Sequence, residues 1–162
     1  MKSDFVTAIR KNHALEHATI AVLMSRLGPG VRLMGRAAPD GFYVYGNVTA
    51  EAVSDAANEG LARLKKGEHS LAVSPLCGTN LVVAGLLAGV ASMIAMRGKR
   101  GWSSLPEVVL ATTLGVLIAQ PLGRAAQKHV TTLPNLDGVA IVGVTSDKHG
   151  RYSRFKIRTE QG

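Results

Sequence analysis

The chain has 162 residues, 46% of them hydrophobic and 4% aromatic, with 19 Lys and Arg against 11 Asp and Glu for a net charge of +8. That length holds one ordinary domain, or a small domain plus a membrane element. The apolar fraction excludes a disordered basic tail, and the single cysteine, Cys77, excludes an intramolecular disulfide framework.

Asp4 to Leu27 has helical spacing, with Ser3 or Asp4 placed to cap it and Gly28-Pro29-Gly30 to stop it. Val31 to Arg36 and Phe42 to Val48 read as strands joined by the turn Ala37-Ala38-Pro39-Asp40-Gly41. Thr49 caps a second helix from Ala50 to Lys66, ended by Gly67, and Ser70 to Ser74 reads as a short strand. No charged side chain then occurs from Ser70 to Met96, nor from Val108 to Gly123. Within these runs, Asn80 to Met96 and Leu105 to Leu122 are each long enough to cross a bilayer core, which takes roughly 17 to 25 helical residues. Glu107 falls in the first turn of the second span, where a carboxylate complements the helix dipole, and Trp102 before it suits an interface. Both spans carry small residues four apart, Gly85 and Gly89 in one and Ala111, Gly115 and Ala119 in the other, which lets helices approach closely in lipid and points to homo- or hetero-oligomers. Gly138 to Ser146 and Arg151 to Thr159 make a last hairpin around Asp147-Lys148-His149-Gly150.

These elements predict an α+β fold: a small mixed helix and sheet domain of residues 1–75 and 127–162, interrupted by a two-helix transmembrane hairpin of residues 76–126. A soluble core of this size hides one such apolar helix but not two. Arg63, Lys65, Lys66, Arg124 and Lys128 outnumber the cations of the 97–104 connector, and no signal peptide precedes residue 70. A multi-pass protein of the inner cell membrane with cytoplasmic termini is therefore expected.

His13-Ala14-Leu15-Glu16-His17 has the His-x-x-Glu-His spacing of inverted zincins. On a helix, residues four apart share a face, so two imidazoles converge on one zinc ion, and the carboxylate three positions on reaches a bound water. The helical wheel places Phe5, Ile9, Ile20, Leu23, Met24 and Leu27 on one apolar stripe, with His13, Glu16 and His17 inside it or at its edge. Ionisable groups on an inward face must be paired or bound to metal, because an isolated buried charge is very costly. Cys77 is the expected third ligand, with His69 and His129 as alternatives and Glu68 as a carboxylate candidate; Glu51 and Glu59 decorate a solvated face. The competing interpretation is a structural cluster in which Glu16 and the histidines satisfy one another.

The blocks Asn12-His13-Ala14-Leu15-Glu16-His17-Ala18-Thr19-Ile20, Leu71-Ala72-Val73-Ser74-Pro75 and Cys77-Gly78-Thr79-Asn80-Leu81 resemble those of an uncharacterised bacterial membrane protein family of cyanobacterial and Chloroflexi type. The resemblance spans roughly residues 12 to 96 and implies no activity. That family often has a histidine beside the proline before the cysteine, where this chain has Ser74.

In the last strand Arg154, Lys156 and Arg158 share one face, opposite Ser153, Phe155 and Ile157. Such a face suits anionic lipid headgroups, each cation adding about 1 kcal/mol near the surface. Nucleic acid is disfavoured, since no recognised motif and few aromatics accompany the charge. Gly35, Gly41 and Gly46 read as hairpin glycines, and no Ser-His-Asp order is present. The expectation is a bilayer protein with a zinc site of His13, His17 and Cys77 and Glu16 as catalytic base, a metal-dependent hydrolase or peptidase. The alternative is a non-enzymatic accessory or scaffold subunit.

Overall fold

The computed structural model describes residues 4–28, 30–97, 104–149 and 152–162. Helix α1 runs from Phe5 to Leu27, and Gly28 ends it with φ +84°, its N–H bonded to Met24 O at 3.0 Å. A residue without a Cβ is the usual way to terminate a helix in this conformation. Strands β1 (Leu33–Ala38) and β2 (Gly41–Gly46) form a hairpin on the turn Pro39-Asp40. Gly41 there has φ +138°, and a Cβ would stand 1.9 Å from Ile157 O. Helix α2 (Ala50–Lys65) starts where Thr49 Oγ1 accepts from the Ala52 N–H at 3.2 Å, a cap worth about 1 kcal/mol. Strands β3 (Val139–His149) and β4 (Tyr152–Gln161) complete a four-stranded antiparallel sheet of order β1-β2-β4-β3. The α+β class is therefore the observed one.

The central pair, β2 with β4, joins the two ends of the chain, with Val44 opposite Phe155 and Phe42 opposite Ile157. All four of these side chains are buried, together with Leu15, Val22 and Leu23 of α1, Val53 and Leu64 of α2, and Leu136 and Val139. The helices cross closely at Gly60, where a Cβ would lie 3.1 Å from Ala18 Cβ.

Three expectations change. Ser70–Ser74 is no strand: His69–Ala72 is a 3₁₀ turn, with Leu71 N–H bonded to Glu68 O and Val73 N–H to Ser70 O, and Ala72 O accepts from a histidine instead of a neighbouring strand. The apolar stripe of α1 does not run end to end, since Phe5 and Leu27 are exposed. Burial concentrates on Ala14 to Thr19, all six buried, because α1 packs against α2, the β1–β2 hairpin and the 3₁₀ turn at once. Finally, Asp147 and His149 belong to β3, where Asp147 is opposite Arg154 and bonded to it at 3.0 Å, so pairing continues past the expected turn. Pro29, the 98–103 connector with Trp102, and Gly150 lie outside the described residues.

The chain divides into two compact units, Met1–Ser74 with Lys128–Gly162, and Pro75–Gln127. The second holds α3 (Gly78–Ala95) and α4 (Leu105–Ala126). Both are long and apolar enough to cross a membrane. Gly115, Ala119 and Gly123 are buried in α4; a Cβ on Gly115 would lie 3.2 Å from the Leu87 backbone and one on Gly123 2.3 Å from Asn80 Oδ1. Gly85 and Gly89 of α3 face open space.

Candidate metal centre

His13 and His17 stand one helical turn apart on α1 with ring centroids 4.4 Å apart, His17 buried and His13 half-buried. His17 Nδ1 lies 2.7 Å from Ala72 O and His13 Nδ1 lies 2.9 Å from Thr131 O. A carbonyl oxygen only accepts, so each Nδ1 carries a proton, and Nε2 is the ring nitrogen that could serve as a metal ligand. Metal-bound histidines are oriented in this way, the second ring nitrogen donating to a carbonyl or carboxylate. The carbonyls come from two irregular segments, the 3₁₀ turn and the wide π-type turn Gln127–Thr131 that follows α4.

Glu16 is buried between these histidines in sequence. Its carboxyl lies against β1 at Gly35: a Cβ there would stand 2.0 Å from Glu16 Oε1. Gly35 is thus a hairpin glycine within strand β1, as expected, and the room it leaves is taken by Glu16. Cys77 belongs to the 75–127 unit, where its Sγ caps α3 by accepting from Thr79 N–H at 3.4 Å. His69 and His129 are exposed. Glu68 is held by the Arg63 guanidinium at 2.6 and 2.8 Å, and that hydrogen bonding keeps its carboxyl below the usual range.

Residues 8–144 match the family model described as Domain of unknown function (DUF6391). The chain belongs to that family. It is also 33% identical over 161 residues to an uncharacterised protein of Picosynechococcus sp., a match covering 91% of this chain and 77% of the relative. No solved structure matches.

The DUF6391 span includes His13, Glu16, His17 and Cys77, and it includes residues whose part sequence reasoning missed. Asn12, fully buried, donates from Nδ2 to Ala38 O at 2.8 Å and accepts from Thr159 Oγ1 at 2.7 Å, tying α1 to the hairpin turn and to β4. Arg10, placed off the stripe, donates to His129 O at 3.0 Å and Thr132 O at 3.2 Å and so braces the segment that orients His13. A polar side chain directly beside His13 was the available signal for Asn12; Arg10 left none, because its acceptors are main-chain atoms.

Proposed function

We propose that this DUF6391 protein is a membrane-anchored zinc protein. In this reading α3 and α4 cross the inner cell membrane as a hairpin with both termini on the cytoplasmic side, and the Arg154, Lys156 and Arg158 face of β4 meets anionic headgroups. His13, His17 and Cys77 hold the metal. The two histidines, one helical turn apart on α1, supply two of the ligands and Cys77 is assigned as the third, with bonds of about 2.0 to 2.3 Å for nitrogen and sulfur on zinc. Two imidazoles and a thiolate suit zinc, and a fourth position is left for water. Glu16 then acts as the base of a hydrolytic site.

The observation that carries this reading is the histidine pair, both rings held at Nδ1 by main-chain carbonyls. Metal analysis of the purified full chain in detergent tests it. About one zinc per chain is expected, lost in the His13→Ala, His17→Ala double variant and reduced in Cys77→Ser. Wild-type protein without stoichiometric metal, or a double variant with unchanged metal, ends the proposal.

The placement of Glu16 against Gly35 favours a second reading, a structural cluster in a non-enzymatic accessory or scaffold subunit. There Glu16→Gln lowers stability and leaves function intact, whereas in a hydrolase it removes turnover with zinc still bound.

A further inference from the structure

Among the described residues, two buried side-chain polar atoms have no hydrogen-bond partner: Arg10 Nε and Thr131 Oγ1. Both stand beside His13. Thr131 supplies the carbonyl that fixes the His13 ring, and Arg10 lies three residues before His13, on the adjacent turn of α1. Arg10 Nη2 grips the carbonyls of His129 and Thr132, on either side of Thr131, while Leu133 N–H donates to Arg10 O at 3.0 Å. The guanidinium is thereby clamped to this segment with its Nε–H unmet. The ion pairs run elsewhere, Arg26 with Glu59, Arg63 with Glu68, Arg154 with Asp147 and Lys156 with Asp40, and Arg10 joins none of them among the described residues.

A buried donor without an acceptor has lost its hydration without replacement, and the half-buried Arg10 has no carboxylate partner among the described ion pairs. One group resolves both deficits. An oxyanion within reach of both would accept from Arg10 Nε–H and from the Thr131 hydroxyl and supply the negative charge, and hydrogen bonds with an ionised partner are the stronger class. The π-type turn carrying Thr131 is a rare conformation that recurs at functional sites.

We propose that Arg10 and Thr131 form an oxyanion subsite on the His13 side of the metal centre, which takes a phosphate or carboxylate group of the ligand bound there. The proposal rests on the zinc reading for its neighbour but on separate residues for its own chemistry.

The test is titration of the zinc-treated full chain in detergent with inorganic phosphate and, in a second arm, acetate, with zinc content measured on every sample. The wild type is expected to bind at least one of the two. Arg10→Gln weakens that binding about tenfold or more and Thr131→Val several-fold, with zinc content unchanged. Thr131→Val removes one hydroxyl at nearly constant shape, so it keeps the test decisive if Arg10→Gln disturbs the turn. Binding of neither probe, or affinities equal to wild type in both variants, overturns the subsite and leaves the metal centre standing. Protein without zinc whose phosphate or acetate affinity still depends on Arg10 and Thr131 overturns the metal centre and keeps the subsite.

Discussion

The two units of this chain bury opposite chemistries. In Met1–Ser74 with Lys128–Gly162 the interior is Leu, Val, Phe and Ile from both helices and both hairpins. In Pro75–Gln127 the arrangement inverts: Asn80, Gly115, Ala119, Gly123 and Gln127 are buried, while Leu81, Leu86, Met93 and Leu117 are each more than 60% exposed. The first unit is held by removal of apolar surface from water. The second cannot be, because its apolar surface stays outside. Close backbone approach at Gly115 and Gly123 and the hydrogen bond from Gln127 Nε2 to Asn80 Oδ1 at 2.9 Å take that role. Similar side chains therefore mean different things in the two units, and truncating them separates the cases.

The largest contrast is between Phe155 and Leu86. Phe155→Ala opens a cavity in the sheet core and costs about 3 to 5 kcal/mol, whereas Leu86→Ala on the outer face of α3 changes stability by less than about 0.5 kcal/mol. Denaturant unfolding of the full chain in detergent measures both. A Leu86→Ala loss as large as the Phe155→Ala loss breaks the comparison. A smaller effect sharpens it from the other side: a double-mutant cycle of Asn80→Ala and Gln127→Leu is expected to give a coupling of about 0.6 to 1.7 kcal/mol. Zero coupling would leave helix approach alone to hold the second unit.

Legibility in the sequence divides along the same line. The span positions of α3 and α4 follow from charge-free runs, and the end of α1 follows from Gly28, because those signals are local. The hairpins are less legible in extent, because β2 finds its partner β4 more than a hundred residues away and pairing sets where each strand stops. A helical wheel assumes one buried face, and α1 is covered on several, so Phe5 and Leu27 were misplaced while Ala14 to Thr19 are buried all round. At the site, the spacing of His13, Glu16 and His17 was readable from side-chain periodicity. The carbonyls of Ala72 and Thr131 were not, since main-chain groups 55 and 118 positions away leave no mark on residue identity. Gly35 was visible as a glycine but not as the counterpart of Glu16, for the same reason.

The smallest expected effect lies on the open face of the sheet in the first unit, where polar contacts add to a core that already holds. Lys156 Nζ donates to Asp40 Oδ1 at 2.6 Å and stands 4.3 Å from the centre of the Tyr43 ring. That hydrogen bond, with the nearby charges of Lys156 and Arg158, keeps the Asp40 carboxyl below its ordinary range. A carboxyl more acidic in the folded chain than in the unfolded one stabilises the fold above its unfolded pKa of about 3.9, and the benefit fades as pH falls through the folded value. Asp40 is mostly exposed, so solvent and salt screen the pair and Asp40→Asn costs less than about 1 kcal/mol at neutral pH. Melting curves of wild type and variant are expected to differ at pH 7, to converge as pH falls through the lowered folded-state value of the Asp40 carboxyl, and to draw together in high salt. A difference that survives both acid and salt would mean that Asp40 acts by packing at the Pro39-Asp40 turn, and that the sheet of the first unit depends on its polar face as well as on its oil.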